Sequence, residues 1–244
     1  MTQLFRVHPD NPQVRLLRQA IAVLDEGGVV AFPTDSGYAL GCRLDDKKAV
    51  DHIRIIRQLP EDHNFTLLCR NLSQLSSYAK ISKNTFKMLK EYTPGPYTFI
   101  LPATRSVPKR LQHPKRQTIG IRIPDHPIVQ MFLDEINEPL MSVTLFLPGE
   151  SSPITAAEDI YEKLNRQVDV IIDAGYCSSE PTTVIDFASN EDGTPIVIRS
   201  GKGNPNPFLA IEQKNDLRTS TFSQIFQKLQ QPNNRSDEPP SNNN

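Results

Sequence analysis

Three groups of residues have the types and spacing to handle an anionic ligand. The first is Pro33-Thr34-Asp35-Ser36-Gly37-Tyr38-Ala39-Leu40-Gly41. It packs two small hydroxyls, a carboxylate and two glycines into nine residues directly after a short apolar run at 29–32. A polar loop at the carboxyl end of a buried strand is where open α/β sheets place ligands. The same segment also reads as an ordinary polar turn. The second group is electrostatic. From Tyr92 to Pro124 there is no Asp or Glu, yet the stretch carries Arg105, Lys109, Arg110, Lys115, Arg116 and Arg122. On one face of a fold these cations would hold phosphates or a nucleic-acid backbone, whereas distributed over several faces they would pair with distant acids. The third group is scattered. Arg122 lies in the apolar run Ile119-Gly120-Ile121-Arg122-Ile123, and Arg199 ends Ile196-Val197-Ile198-Arg199. Arg57 and His63 flank a Pro-containing turn, and Thr182-Thr183 opens a further apolar run. An Arg in or at the end of a strand is an anion ligand or an ion-paired residue.

Familiar machinery is missing. There is no GxxxxGK[ST] loop, no GxGxxG, no GxSxG elbow and no HExxH. The five His residues have no zinc-type spacing, and no metal ligands are assigned. Cys42, Cys69 and Cys177 are far apart and form no CxxC pair, which suits a reducing cytoplasm and core-filling roles. No apolar run reaches membrane-spanning length, and the N-terminus lacks the basic-then-apolar order of a signal peptide.

These groups need a frame to position them. Apolar spacing predicts helices over 12–26, 46–57, 82–92, 127–136 and 155–166, the last opened by a Thr155–Glu158 capping box. Strands are predicted at 29–32, 65–69, 97–101, 118–123, 140–147, 168–173, 183–187 and 196–199. Interleaved strands and helices make the class α/β with a mixed, largely covered sheet. The reading is one domain over 1–209, then a 210–244 extension with one weak helix at 216–229 and a disordered polar end. The net charge is −1, which excludes a uniformly basic nucleic-acid coat. With 11 Gly and 21 Pro, each glycine is expected at a required turn and the loops are expected to be stiff.

Seven ordered segments resemble the YrdC/YciO family, closest to its YciO branch. They are PTDSGYALG (33–41), IRQLPEDHNFTLL (56–68), TPGPYTFIL (93–101), TIGIRIPDHP (118–127), PLMSVTLFLPG (139–149), PTTVID (181–186) and VIRSG (197–201). The resemblance implies a twisted, open mixed sheet with helices around a large basic concave cavity. It implies threonylcarbamoyl-AMP synthesis, a nucleotidyl transfer. In that reaction ATP, L-threonine and bicarbonate give threonylcarbamoyl-AMP and pyrophosphate, with Mg²⁺ accompanying ATP. The product serves the threonylcarbamoyl modification of tRNA adenosine. The resemblance also implies binding of double-stranded RNA or tRNA, for which Lys109, Arg110, Lys115 and Arg116 are the candidates.

Matched motif by motif, Thr34, His63, Arg122 and Thr182 fall on the threonine side of the family's site. Arg57, Thr144 and Arg199 fall on its nucleotide and phosphate side. The family's KxR motif reads Arg57-Gln58-Leu59 here, so its second cation is gone. Its SxN motif reads Thr144-Leu145-Phe146, so an amide has become an aromatic ring. These departures leave a second reading open: an RNA- or nucleotide-binding module that keeps the cavity without the catalysis.

Overall fold

The computed structural model describes residues 1–60, 63 and 65–211. The anticipated tail helix and polar end lie outside the described residues. Ten strands form one twisted mixed sheet: β1 (Gln3–Arg6), β2 (Val30–Thr34), β3 (Gly37–Arg43), β4 (Thr66–Leu68), β5 (Tyr97–Pro102), β6 (Thr118–Arg122), β7 (Leu140–Thr144), β8 (Val170–Asp173), β9 (Thr183–Asp186) and β10 (Ile196–Arg199). Their spatial order is β1-β8-β2-β3-β7-β4-β6-β5-β9-β10. Parallel pairs (β1 with β8, β2 with β8, β4 with β6, β5 with β9) are mixed with antiparallel ones.

Helices α1 (Val14–Asp25), α2 (Lys47–Arg57), α3 (Leu72–Tyr78), α4 (Lys83–Tyr92), α5 (Pro127–Ile136) and α6 (Ala157–Leu164) cover this sheet. Capping explains several of their starts. Asp46, Asn71 and Ser82 each accept the backbone N–H three residues on, which satisfies one orphan donor of α2, α3 and α4. The expected Thr155 cap is not used. The residue preceding α6 is Ala156, with no side-chain cap, and Glu158 and Asp159 in the first turn complement the helix dipole instead.

Side chains alternate across each strand, so the sheet has two distinct faces. One face buries Ala31, Leu40, Leu67, Phe99, Ile121, Met141 and Ile185 against α2, α3, α4 and α6. The other buries Val30, Phe32, Leu68, Leu140, Val170 and Ile172 against α1 and α5. α1 and α5 cover the β1-β8-β2 end of that second face and parts of β3, β7 and β4. Among the described residues no helix covers the rest of it, and there the strands switch from apolar to small polar residues.

Four elements were not anticipated from the sequence: β1, β3, α3 and a 3-10 turn at Lys109–Leu111. The correction at β3 matters most. The sequence pattern places residues 37–41 in the polar loop. Instead β2 and β3 form a tight hairpin, Pro33 facing Tyr38 and Thr34 facing Gly37. The chemical part of the motif is therefore only its tip, Thr34 to Gly37.

Candidate active site

The uncovered part of the sheet forms the floor of a cavity of about 640 Å³. A volume in this range suits a substrate-sized ligand. Strand register explains the floor. Ser142 on β7 lies beside Thr66 on β4, Thr66 beside Gly120 on β6, and Gly120 beside Ile100 on β5. Thr98, Arg122 and Thr144 lie two residues along the same strands on the same face. A Cβ at Gly120 would stand 3.0 Å from the Thr66 Oγ1, so glycine keeps the middle of the floor flat.

The walls bring most of the anticipated residues together. Thr34, Arg57, His63, Arg122, Thr144, Thr182 and Arg199 all line the cavity. Among the described lining residues there are three Arg and one His but no Asp or Glu. The described lining thus carries cations without a carboxylate beside them. No three His, Cys, Asp or Glu side chains come together as a metal-holding group among the described residues.

Each arginine is pre-set by the protein. Arg122 is almost fully buried, and its Nη2 donates to the Asp35 carboxylate in the hairpin tip. The other Asp35 oxygen accepts the Asp125 backbone N–H at 3.2 Å, and Lys202 Nζ donates to the Asp35 carbonyl at 2.5 Å. Arg122 Nε has no hydrogen-bond partner among the described residues. A buried, unsatisfied donor of this kind is costly unless a ligand completes it. Burial lowers the Arg122 pKa, Asp35 opposes that, and the neighbouring Arg199 adds to the lowering. Arg199 donates Nε and Nη2 to the Thr182 carbonyl at 3.1 and 2.9 Å, and Nη2 also reaches the Thr182 hydroxyl. Arg57 donates Nε to the Thr144 carbonyl at 2.8 Å. Burial lowers the pKa of both Arg57 and Arg199. Guanidinium remains charged near neutrality even so.

The hydroxyls are pre-set too. Thr34 Oγ1 donates to the Gly37 carbonyl at 2.6 Å and accepts from the Ser36 N–H at 3.2 Å. Its proton is committed to the turn, so it offers a ligand a lone pair rather than a donor. Thr182 and Thr98 hydroxyls meet at 2.8 Å. The His63 ring stands edge-on to Phe65, with centroids 5.6 Å apart.

Other anticipated residues lie elsewhere. Lys109, Arg110, Lys115 and Arg116 do not line the cavity. Arg116 turns to the fully buried Asp186 carboxylate at 2.6 Å, and Arg110 donates to the Leu44 carbonyl at 2.8 Å. Arg116 and Arg110 are thus each held by a protein partner away from the cavity. Of the six cations in the basic stretch, Arg122 is the one that lines the cavity among the described residues. The sequence reading assigned no role to Thr66, Thr98, Gly120 and Ser142 on the floor or to Lys202, and it named Asp35 in its loop without its place behind Arg122. A signal existed for the floor residues: small polar residues at alternate positions of otherwise apolar strands.

The two motif departures resolve differently. Phe146 lines the cavity. Leu59 does not; it packs on the main core, and its N–H closes the end of α2 on the Arg54 carbonyl at 3.0 Å. Position 59 is thus a core contact rather than a vacated phosphate site. Leu59→Arg should cost about 1–2 kcal/mol of stability and add no anion affinity. Thermal unfolding and pyrophosphate titration of the variant check both parts.

The Sua5/YciO/YrdC family model, described as "Telomere recombination", matches residues 22–201. The chain belongs to this family. It is 51% identical over 209 residues to "Uncharacterized protein YciO" of Escherichia coli (strain K12), covering 86% of this chain and all of that one. The crystal structure of E. coli YciO superposes with a TM-score of 0.81 at 50% identity, covering 85% of this chain and 100% of that chain. A "Threonylcarbamoyl-AMP synthase" of Vibrio vulnificus (strain YJ016) is 33% identical over 159 residues, 64% of this chain and 84% of that one. The structure of P. abyssi Sua5 complexed with L-threonine matches with a TM-score of 0.78 at 26% identity, covering 86% of this chain and 61% of that chain. Within the Sua5/YciO/YrdC frame, the seven cavity-lining positions fall in the motifs that carried the sequence resemblance. No helix among the described residues is long and apolar enough to cross a membrane.

Proposed function

We propose that this chain is a threonylcarbamoyl-AMP synthase of the Sua5/YciO/YrdC family. The observation that carries the reading is the arginine-lined cavity, in which Arg57, Arg122 and Arg199 converge over a floor of small hydroxyl residues. A likeness to a synthase of V. vulnificus and to a Sua5 that binds L-threonine supports it.

The chemistry fits these groups. The threonine amine and bicarbonate first give a carbamate and water. A carbamate oxygen then attacks the α-phosphorus of ATP, the bond to the β-phosphate oxygen breaks, and pyrophosphate leaves with that electron pair. No protein nucleophile is required. The protein's part is to bring two anions together and neutralise the developing charge. Arg122, which lines the cavity, would take the threonine carboxylate. Arg57 and Arg199 would face the nucleotide phosphates. Thr34 would accept from the amino-acid portion, and Thr182 would accept from it or donate to it. Mg²⁺ would enter on the phosphates of ATP as part of the substrate, since no described lining residue is a carboxylate that could hold it. The product is an activated acyl adenylate suited to modifying a tRNA adenosine.

The test is release of pyrophosphate from ATP at high protein concentration. Release should exceed a no-protein blank only when threonine and bicarbonate are both present, and AMP should appear on hydrolysis of the product. Release that ignores threonine or bicarbonate, or none above the blank, overturns the reading.

A further inference from the structure

Phe146 stands where an aromatic ring has no place in a purely phosphate-binding wall. A phenyl ring neither donates nor accepts a conventional hydrogen bond, so it cannot replace an amide that meets phosphate. What it supplies is a flat apolar face. Among the described residues, only Phe146 and Ile198 are large, exposed apolar side chains that also line the cavity. Ile198 sits on β10, separated from β7 by β4, β6, β5 and β9, so it belongs to the far wall.

The ring is held in place. Its backbone N–H donates to the Thr144 carbonyl at 3.0 Å. Leu145 before it is fully buried, and the Leu145 carbonyl accepts the Ile154 N–H at 3.2 Å. The Arg57 guanidinium packs over the ring, 5.8 Å from its centroid, while Arg57 Nε is tied to the same Thr144 carbonyl. Cation and ring therefore form one unit hung on one carbonyl. Phe146 is still 37% exposed, and it lines the cavity. A preset aromatic face beside converging arginines matches a ligand that is both planar and anionic.

We infer that Phe146, backed by Arg57, is the stacking surface for the base of a bound purine nucleotide. This deepens the nucleotide reading above and rests on it. It makes the base a recognised part of the ligand, whereas a polar residue at this position would recognise phosphate.

The experiment compares AMP, ribose 5-phosphate and pyrophosphate binding to the full chain by calorimetry. Wild type should bind AMP about tenfold or more tighter than ribose 5-phosphate, the worth of one base-on-aromatic stack. Phe146→Ala should erase that difference while leaving ribose 5-phosphate and pyrophosphate within about twofold. Phe146→Trp should keep it and Phe146→Leu should not, because a stack needs a ring and not just apolar area. The 5′-phosphate of 2-aminopurine riboside should lose fluorescence on binding wild type and keep it with Phe146→Ala. Equal AMP and ribose 5-phosphate binding by wild type overturns the inference. So does a uniform loss of all three ligands in Phe146→Ala, or Leu serving as well as Trp. Pyrophosphate binding without any gain from the base would sink the stack and leave the anion cavity standing. A working stack without threonine-dependent pyrophosphate release would sink the synthesis alone.

Discussion

Asp35→Ala is expected to lower stability by about 3–5 kcal/mol, the loss seen when one member of a buried ion pair is removed. Side-chain exposure is only 8% for Arg122 and 7% for Asp35, so water cannot take over as the partner. The variant leaves a guanidinium buried with its Nε already unpaired and its Nη2 newly so. It also removes the acceptor of the Asp125 N–H at the approach to α5. A chain of this size should lose roughly 6–20 °C in melting temperature. The second variant gives the sign its meaning. Arg122→Met in the Asp35→Ala background removes the stranded charge, so it should recover much of the lost stability. Replacing a buried pair by apolar groups of similar volume is often close to neutral. Threonine binding should not recover, because the guanidinium itself would be gone. Urea unfolding of the single and double variants separates these outcomes. A single variant within about 1 kcal/mol of wild type would mean that the pair is solvated, like a surface ion pair.

This pair also marks how far the sequence could be read. Arg122 was legible as a site residue because a cation in an apolar strand demands a reason. Asp35 was visible in its loop, but nothing local ties it to a partner 87 residues away. The same limit applies to the basic stretch. Its lack of acids was plain, yet Arg116 satisfies a buried carboxylate 70 residues later in the chain. Linear charge density does not specify a face. The floor of the cavity was harder still. A Thr in a strand reads as ordinary β preference, so the alternation that includes Thr66 and Thr98 does not by itself point to a site. Only the register, which sets Thr66 beside Ser142 and Gly120, makes them one surface.

The fold shows the same division. The long amphipathic helices α1, α2, α4 and α5 were legible because each buries a periodic apolar stripe. β3 was not, because its glycines and hydroxyls look like a turn. A Cβ at Gly41 would meet the Phe32 ring at 2.7 Å and the Leu140 side chain at 2.9 Å. The glycine is there for close packing of a strand, not to turn the chain. β1 has four residues and α3 buries only Leu75, so neither has enough pattern to rise above its surroundings.

Glycine at close approach also sets the second large effect, at Gly201. Its φ does not lie in the left-handed region, so conformation is not the reason for glycine here. A Cβ would fall on the Pro181 carbonyl oxygen and lie 2.8 Å from the Thr182 carbonyl carbon. Both neighbours are backbone and cannot rotate away. Around this contact the Gly201 N–H donates to Thr183 Oγ1 at 2.9 Å, and the Lys202 N–H to the Pro181 carbonyl at 2.9 Å. Arg199, two residues earlier, holds the Thr182 carbonyl. One added methyl must therefore push the two segments apart and stretch every bond between them. Overpacking of about 1–3 kcal/mol plus two or so weakened hydrogen bonds gives an expected loss of roughly 3–5 kcal/mol. Because Arg199 moves with its partner, pyrophosphate affinity should fall about tenfold or more, as expected for a misplaced charge-assisted contact. Gly149→Ala supplies the contrast. Its Cβ would meet nothing within 4 Å, but its φ is +81°, so the cost is conformational, about 1 kcal/mol, and the cavity is untouched. Urea unfolding and pyrophosphate titration on both variants should show stability and binding falling together at 201 and stability alone falling at 149. If Gly201→Ala is as mild as Gly149→Ala, the wall that holds Arg199 is softer than its contacts require.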